Sequence, residues 1–159
     1  MTIAVEHLTG QGLVSEVLFR RLANRIIEKE GISTGKSERI VDQALAFLAA
    51  CGKATEPLAP SETVDIGWHT FILYTREYVE FCDRIAGRFI HHVPDDENEK
   101  APKVKAQDQI GRTVKAIRAA GFYVDEELWV GAHGVVGSCT GCHNGCHEDP
   151  PPPPATMSA

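Results

Sequence analysis

The stretch from Val64 to Pro94, VDIGWHTFILYTREYVEFCDRIAGRFIHHVP, constrains the fold more than any other part of the chain. Its apolar residues fall at Val64, Trp68, Phe71, Tyr78, Cys82, Ile85 and Phe89. These are steps of three and four, with one gap of seven across Thr75, the spacing of an amphipathic helix. Asp65, Arg76, Glu77, Asp83 and Arg84 take other faces. Pro57 and Pro60 stop anything upstream, and Ser61 is placed to cap the first turn. Gly87 and Pro94 end the segment. The pattern predicts one long central helix with the other helices packed around it.

Two further helices are predicted before it. The first runs from about Gly12 to Glu30 on a stripe of Val14, Leu18, Leu22 and Ile26, with Gly31 as its terminator. The second runs from about Ser37 to Cys51, with Ser37 as its cap and Ile40, Val41, Ala44, Leu45, Phe47 and Leu48 forming its face. The Gly35-Lys36-Ser37 triplet imitates the end of a phosphate-binding loop. That loop needs glycine where the chain has Glu30, and a strand before it where the pattern is helical, so nucleotide binding is set aside. Cys51 reads as a small buried hydrophobe.

Past Pro94 the acidic run 95–103 reads as a solvated loop. A helix follows from about Val104 to Ala120, burying Val104, Ile110, Val114 and Ile117. Phe122, Tyr123, Val124, Leu128, Trp129 and Val130 are apolar anchors that tuck an irregular segment onto the bundle, with one helical turn at Glu126–Trp129. The expected organisation is an N-terminal arm at 1–10, a helical domain at 11–130 and a Cys/His- and proline-rich tail at 131–159. The fold class is all-α: a small helical bundle with an irregular or disordered tail.

The motif VDxxWHxFILxTxxYxxFCxxxxGRFIHHVP resembles the hallmark segment of the glycine-rich-domain-containing-protein-like family. The resemblance spans roughly Leu13 to Trp129 and is strongest at Val64–Pro94. It implies a recurring pair of histidine motifs around Trp68-His69 and His91-His92-Pro94, and a glycine- or cysteine-rich C-terminal end. It implies no particular activity.

Two clusters carry chemistry. The tail holds Cys139, Cys142, His143, Cys146 and His147, three thiols and two imidazoles within nine residues. A Cys-x-x-Cys spacing lets two thiolates meet one ion, with neighbouring groups completing a tetrahedron. A redox-active dithiol is an alternative use of the same residues. Cys139-x-x-Cys142-His143 also fits a haem-attachment motif. Covalent haem is not expected, because no export signal precedes the domain and the tail cannot enclose a porphyrin. The second cluster is Asp65, His69, His91 and His92. Asp65 and His69 lie one turn apart on one helix face, and a turn after Gly87 can bring His91 or His92 back toward them. Core packing beside Trp68, Phe71 and Phe89 is the competing reading. The two clusters could also cooperate, with the tail thiolates closing over a half-site of histidines.

The expected cofactor is a transition metal ion, zinc first, with iron or copper as alternatives. No motif assigns catalytic residues or a substrate. A net charge of −6 disfavours nucleic acid, which needs a basic face. No apolar run spans a membrane, and no signal peptide is evident, so a cytoplasmic location is expected. Two other readings stay open. One is an interaction module whose prolines at 150–154 are docked by a protein partner. The other is a pathway accessory protein whose tail is itself modified.

Overall fold

A computed structural model describes residues 6–93 and 105–129. Among these residues the architecture is all-helical. A short 3-10 turn at Gln11–Leu13 leads into α1 (Glu16–Glu30), α2 (Thr34–Lys53), α3 (Glu62–Ile72), α4 (Thr75–Ala86), α5 (Lys105–Ala119) and the single turn α6 (Glu126–Trp129). No helix is long and apolar enough to cross a membrane among the described residues.

The bundle is built around one long central helix, but that helix is α2. It packs against α1, α3, α4 and α5. Residues Gln43 to Cys51 are buried without interruption. Four alanines in that run leave room for neighbours on every side, as a helix surrounded by others requires. α2 also begins earlier than Ser37. Its cap is Ser33, whose hydroxyl accepts from the Lys36 N–H at 3.3 Å, while the buried Ser37 hydroxyl donates to the Thr34 carbonyl. α2 and α3 approach closely at Gly67. A Cβ there would stand 2.7 Å from the Ala44 methyl and 3.0 Å from the Ile40 carbonyl oxygen.

The stretch Val64–Pro94 is not one helix. It breaks at Leu73–Tyr74, where Tyr74 leaves the helical region (φ −91°, ψ 65°), and α4 starts at Thr75 without a side-chain cap. In a straight helix Trp68 and Tyr78 would be separated by about 15 Å along the axis. Here the Trp68 indole N–H donates to the Tyr78 hydroxyl at 2.9 Å. Phe71 meets both Tyr78 and Phe81 edge-on, each at 5.2 Å between centroids. The aromatic stripe therefore closes on itself across a corner, and this closure offsets the backbone bonds lost at the break.

α4 ends at Gly87 in the left-handed conformation (φ 66°), as α1 does at Gly31 (φ 65°). The chain then returns along α3, and Ile90 is buried completely. The segment after α5 is anchored as its apolar residues suggest. Phe122, Val124, Leu128 and Trp129 are buried. The Ser61 hydroxyl caps α3 by accepting from the Val64 N–H, and donates to the Leu128 carbonyl at 2.5 Å. Leu8 and Phe122 form an isolated parallel bridge, so the arm before α1 is paired rather than free at that point.

The candidate residues Cys139, Cys142, His143, Cys146 and His147 lie outside the described residues, as do Val104 and the loop 95–103.

Candidate functional site

Asp65, His69 and His92 come together at the corner between α3 and the segment that follows α4. Asp65 is buried on the first turns of α3. One of its carboxylate oxygens lies 2.8 Å from His69 Nδ1, the other 3.0 Å from His92 Nε2. Each imidazole nitrogen donates to the carboxylate, so a single buried anion holds two rings. The His69 bond is the i,i+4 neighbour expected from the sequence. The His92 bond spans 27 residues and exists because the chain turns back after α4. The two rings meet at a tilt of 53° with 4.1 Å between centroids, and His92 meets the Trp68 ring at a tilt of 55° and 4.5 Å.

His91 is not part of this group. Its ring lies against Phe89 at 4.7 Å between centroids. Of the two adjacent histidines, the structure brings His92 to Asp65.

The burial of the three residues is graded. The Asp65 and His92 side chains are 6% and 9% exposed, while His69 is 58% exposed. The cluster thus opens to solvent on the His69 side, where a groove of about 190 Å³ is lined by Lys29, Glu30, Ile66, His69, Thr70 and Leu73. Burial pushes the Asp65 carboxyl up, but the hydrogen bonds from His69 and His92 outweigh it and hold the group below the ordinary aspartate value. The bond to Asp65 raises His69 above the ordinary histidine value, against the opposing effect of its partial burial.

One ligand atom from each of Asp65, His69 and His92 lies within 4.8 Å of the others. Tetrahedral ligands at zinc distances stand about 3.3 Å apart. An ion would replace the two shared protons, with the carboxylate–imidazole pairs opening from 2.8 and 3.0 Å and the group adjusting within its 4.8 Å span. Two imidazoles and one carboxylate suit zinc, and are also the donor set of non-haem Fe(II) sites.

The remaining described cysteines do not join the cluster. Cys51 and Cys82 are buried thiols, and burial pushes the Cys82 thiol up, away from the reactive thiolate. The sequence reading overlooked the Tyr78 hydroxyl, which had only an apolar role in the helical stripe. It also overlooked Gln43, a polar residue on an otherwise apolar helix.

The metal-free cluster has a bounded pH window. The depressed carboxyl of Asp65 contributes stability that is present above its ordinary value of 3.8 and lost as pH falls through the lower folded value. The raised imidazole of His69 contributes stability that is complete below 6.5 and lost as pH rises through the higher folded value. The Tm difference between the wild type and His69→Gln should therefore be largest between about pH 4.5 and 6.5 and shrink toward pH 9. Thermal melts in the presence of a chelator measure it, and a difference that stays level from pH 5 to 9 contradicts the linkage.

No curated protein and no solved structure matches the chain. A family model does, over residues 11–118, a span that contains α1 to α4, nearly all of α5 and the whole Asp65–His69–His92 cluster. This match corrects the resemblance drawn from the Val64–Pro94 motif: the chain belongs to the UCP032817-like family, not to the glycine-rich-domain-containing-protein-like family.

Proposed function

We propose that the protein binds a transition metal ion at Asp65, His69 and His92. The observation that carries the reading is the buried Asp65 carboxylate with two imidazole nitrogens at 2.8 and 3.0 Å. Three protein donors, one of them beside solvent, leave a coordination position for water or a substrate. That is the pattern of catalytic rather than structural zinc sites. Zinc is the first candidate, and iron the second on the same donor set. The substrate of such a metalloenzyme is unassigned.

The tail cysteines are within reach of this site. α6 packs against α3, and its Leu128 carbonyl accepts from Ser61, one turn before Asp65 on α3. Nine residues lie between Trp129 and Cys139, and the ten chain steps from one to the other span at most about 33 Å when extended. Cys139, Cys142, His143, Cys146 and His147 are proposed as further donors, in a compartment such as the cytoplasm that keeps thiols reduced.

Elemental analysis of freshly purified protein, full-length and truncated after Val130, tests the reading. About one equivalent of zinc or iron in both forms, lost in Asp65→Ala, is the expected result. Metal present only with the tail assigns binding to the cysteines alone. Metal in neither form reduces the Asp65 cluster to a hydrogen-bonded clasp and shifts weight to the proline run as a protein-docking segment.

A further inference from the structure

The backbone of Ile90 is held from α4 by two side chains. Its carbonyl accepts from the Tyr78 hydroxyl at 2.6 Å, and its backbone also hydrogen-bonds the Cys82 sulfur one turn further along α4. The Tyr78 hydroxyl accepts in turn from the Trp68 indole N–H at 2.9 Å. Tyr78 is fully buried, and burial pushes its phenol above the ordinary tyrosine value, so the group stays a donor throughout the working pH range.

These bonds converge on His92. The Ile90 carbonyl belongs to the peptide unit shared with His91, so holding it fixes the backbone entering His91, one residue before His92. The Trp68 ring is the wall that the His92 imidazole packs against, tilted by 55° at 4.5 Å between centroids. A single phenolic oxygen therefore sets both the path of the chain before His92 and the wall behind its ring. His69 needs no such help, because it stands on α3 one turn from Asp65 and also bonds the Asp65 backbone carbonyl at 3.0 Å.

We propose that Tyr78 is the positioning residue for His92, selecting it over His91 as the partner of Asp65 and fixing its Nε2 toward the shared site. The proposal deepens the metal-site reading and rests on it for its functional meaning, but its geometry can be read without an ion. Groups that orient a metal ligand typically govern affinity by 10- to 100-fold.

The test is Tyr78→Phe in the full-length chain, which keeps the ring and every candidate ligand and removes one oxygen. Zinc affinity measured by chelator competition is expected to fall 10- to 100-fold. The control is Ile117→Val, a cavity in the buried face of α5 away from the site, expected to lower Tm while leaving zinc affinity unchanged. In the metal-free protein the His92 ring N–H should be protected from exchange in the wild type and unprotected in Tyr78→Phe, with His69 unaltered. Zinc affinity within threefold of the wild type, or a His92 N–H equally protected in both proteins, overturns the proposal. So does an equal loss of affinity in Ile117→Val. If the wild type binds no zinc, the metal reading fails, and the His92 exchange measurement still decides the positioning role. If Tyr78→Phe does not fold, the unaltered protein decides. A Tyr78 hydroxyl proton slow to exchange and close to the Trp68 N–H is expected, and one that exchanges freely overturns the proposal.

Discussion

Asp65→Ala is expected to abolish metal binding at the proposed site and to loosen both imidazoles at once. At the binding free energy of zinc-finger peptides, about 10–16 kcal/mol, one of the three protein ligands of the proposed site would carry about 3–5 kcal/mol, or about two to four orders of magnitude in affinity. The fold loses less. Asp65 accepts two hydrogen bonds from a buried position, and bonds to a charged group contribute about 1.5–3 kcal/mol each. His69 is mostly exposed, so solvent screens its share. The metal-free variant is expected to be about 2–3 kcal/mol less stable than the metal-free wild type near pH 6. Urea titration with chelator gives that number, and metal analysis of the same preparations gives the first. Asp65→Asn separates the two effects. Its amide oxygen can accept from one histidine but its nitrogen cannot accept from the other, so part of the stability returns while metal affinity stays low. A variant that keeps its ion at wild-type affinity without Asp65 would remove this residue from the ligand set.

Gln43→Ala is expected to be the most damaging change at a polar residue outside the cluster. The Gln43 side chain is buried on α2, and its amide is fully used. Its carbonyl oxygen accepts from the Asp125 backbone N–H at 3.0 Å and from the Trp129 indole N–H at 2.8 Å. Its nitrogen donates to the Tyr123 carbonyl at 3.1 Å. Truncation leaves the two buried donors without a partner, at about 1–3 kcal/mol each. The expected loss is about 3–4 kcal/mol, with α6 and the segment leading to it as the part that comes away. Trp129 fluorescence should shift to the red at urea concentrations where Trp68 remains native, read in Trp68→Phe and Trp129→Phe backgrounds. A loss under about 1 kcal/mol would mean that water replaces the amide at this place. The Arg39 guanidinium, bonded to Asp125 at 2.5 and 2.8 Å and to Glu127 at 2.6 Å, holds the same segment from outside. Its exposed position makes it the weaker anchor.

Much of this fold is written in local patterns. Gly31, Gly87 and Gly121 end helices where the sequence puts them, all three at positive φ. Ser61 caps α3, and the turn at Glu126–Trp129 forms where acidic residues precede an apolar pair. The break between α3 and α4 left a trace, because the gap of seven across Thr75 is the one interruption in a run of threes and fours. The trace was ambiguous, since a polar residue on a helix stripe and a corner look alike in one dimension. What separates them is Trp68 reaching Tyr78, a contact between residues ten apart that periodicity does not encode.

The site was legible to the same degree. Asp65 and His69 follow from helical spacing alone. The choice between His91 and His92 does not, because adjacent residues in extended chain point to opposite sides. The register after Gly87 is set by the Tyr78 bond to Ile90, which belongs to the packed structure. Gln43 was missed for a related reason. A polar residue on a helix normally marks its solvated face, and only a helix enclosed on all sides turns it into an internal hydrogen-bonding hub.

The fold-back at Leu73–Tyr74 also changes what an ion would do to the unfolding reaction. Asp65 and His92 are 27 residues apart along the chain. An ion that stays ligated to both ties off that length as a covalent staple would, and loop-closure entropy assigns a cross-link of this span about 3.5 kcal/mol. Under the proposed metal site, denaturation would then follow the concentration of free ion, because only a chain that has released its ion regains the full freedom of this loop.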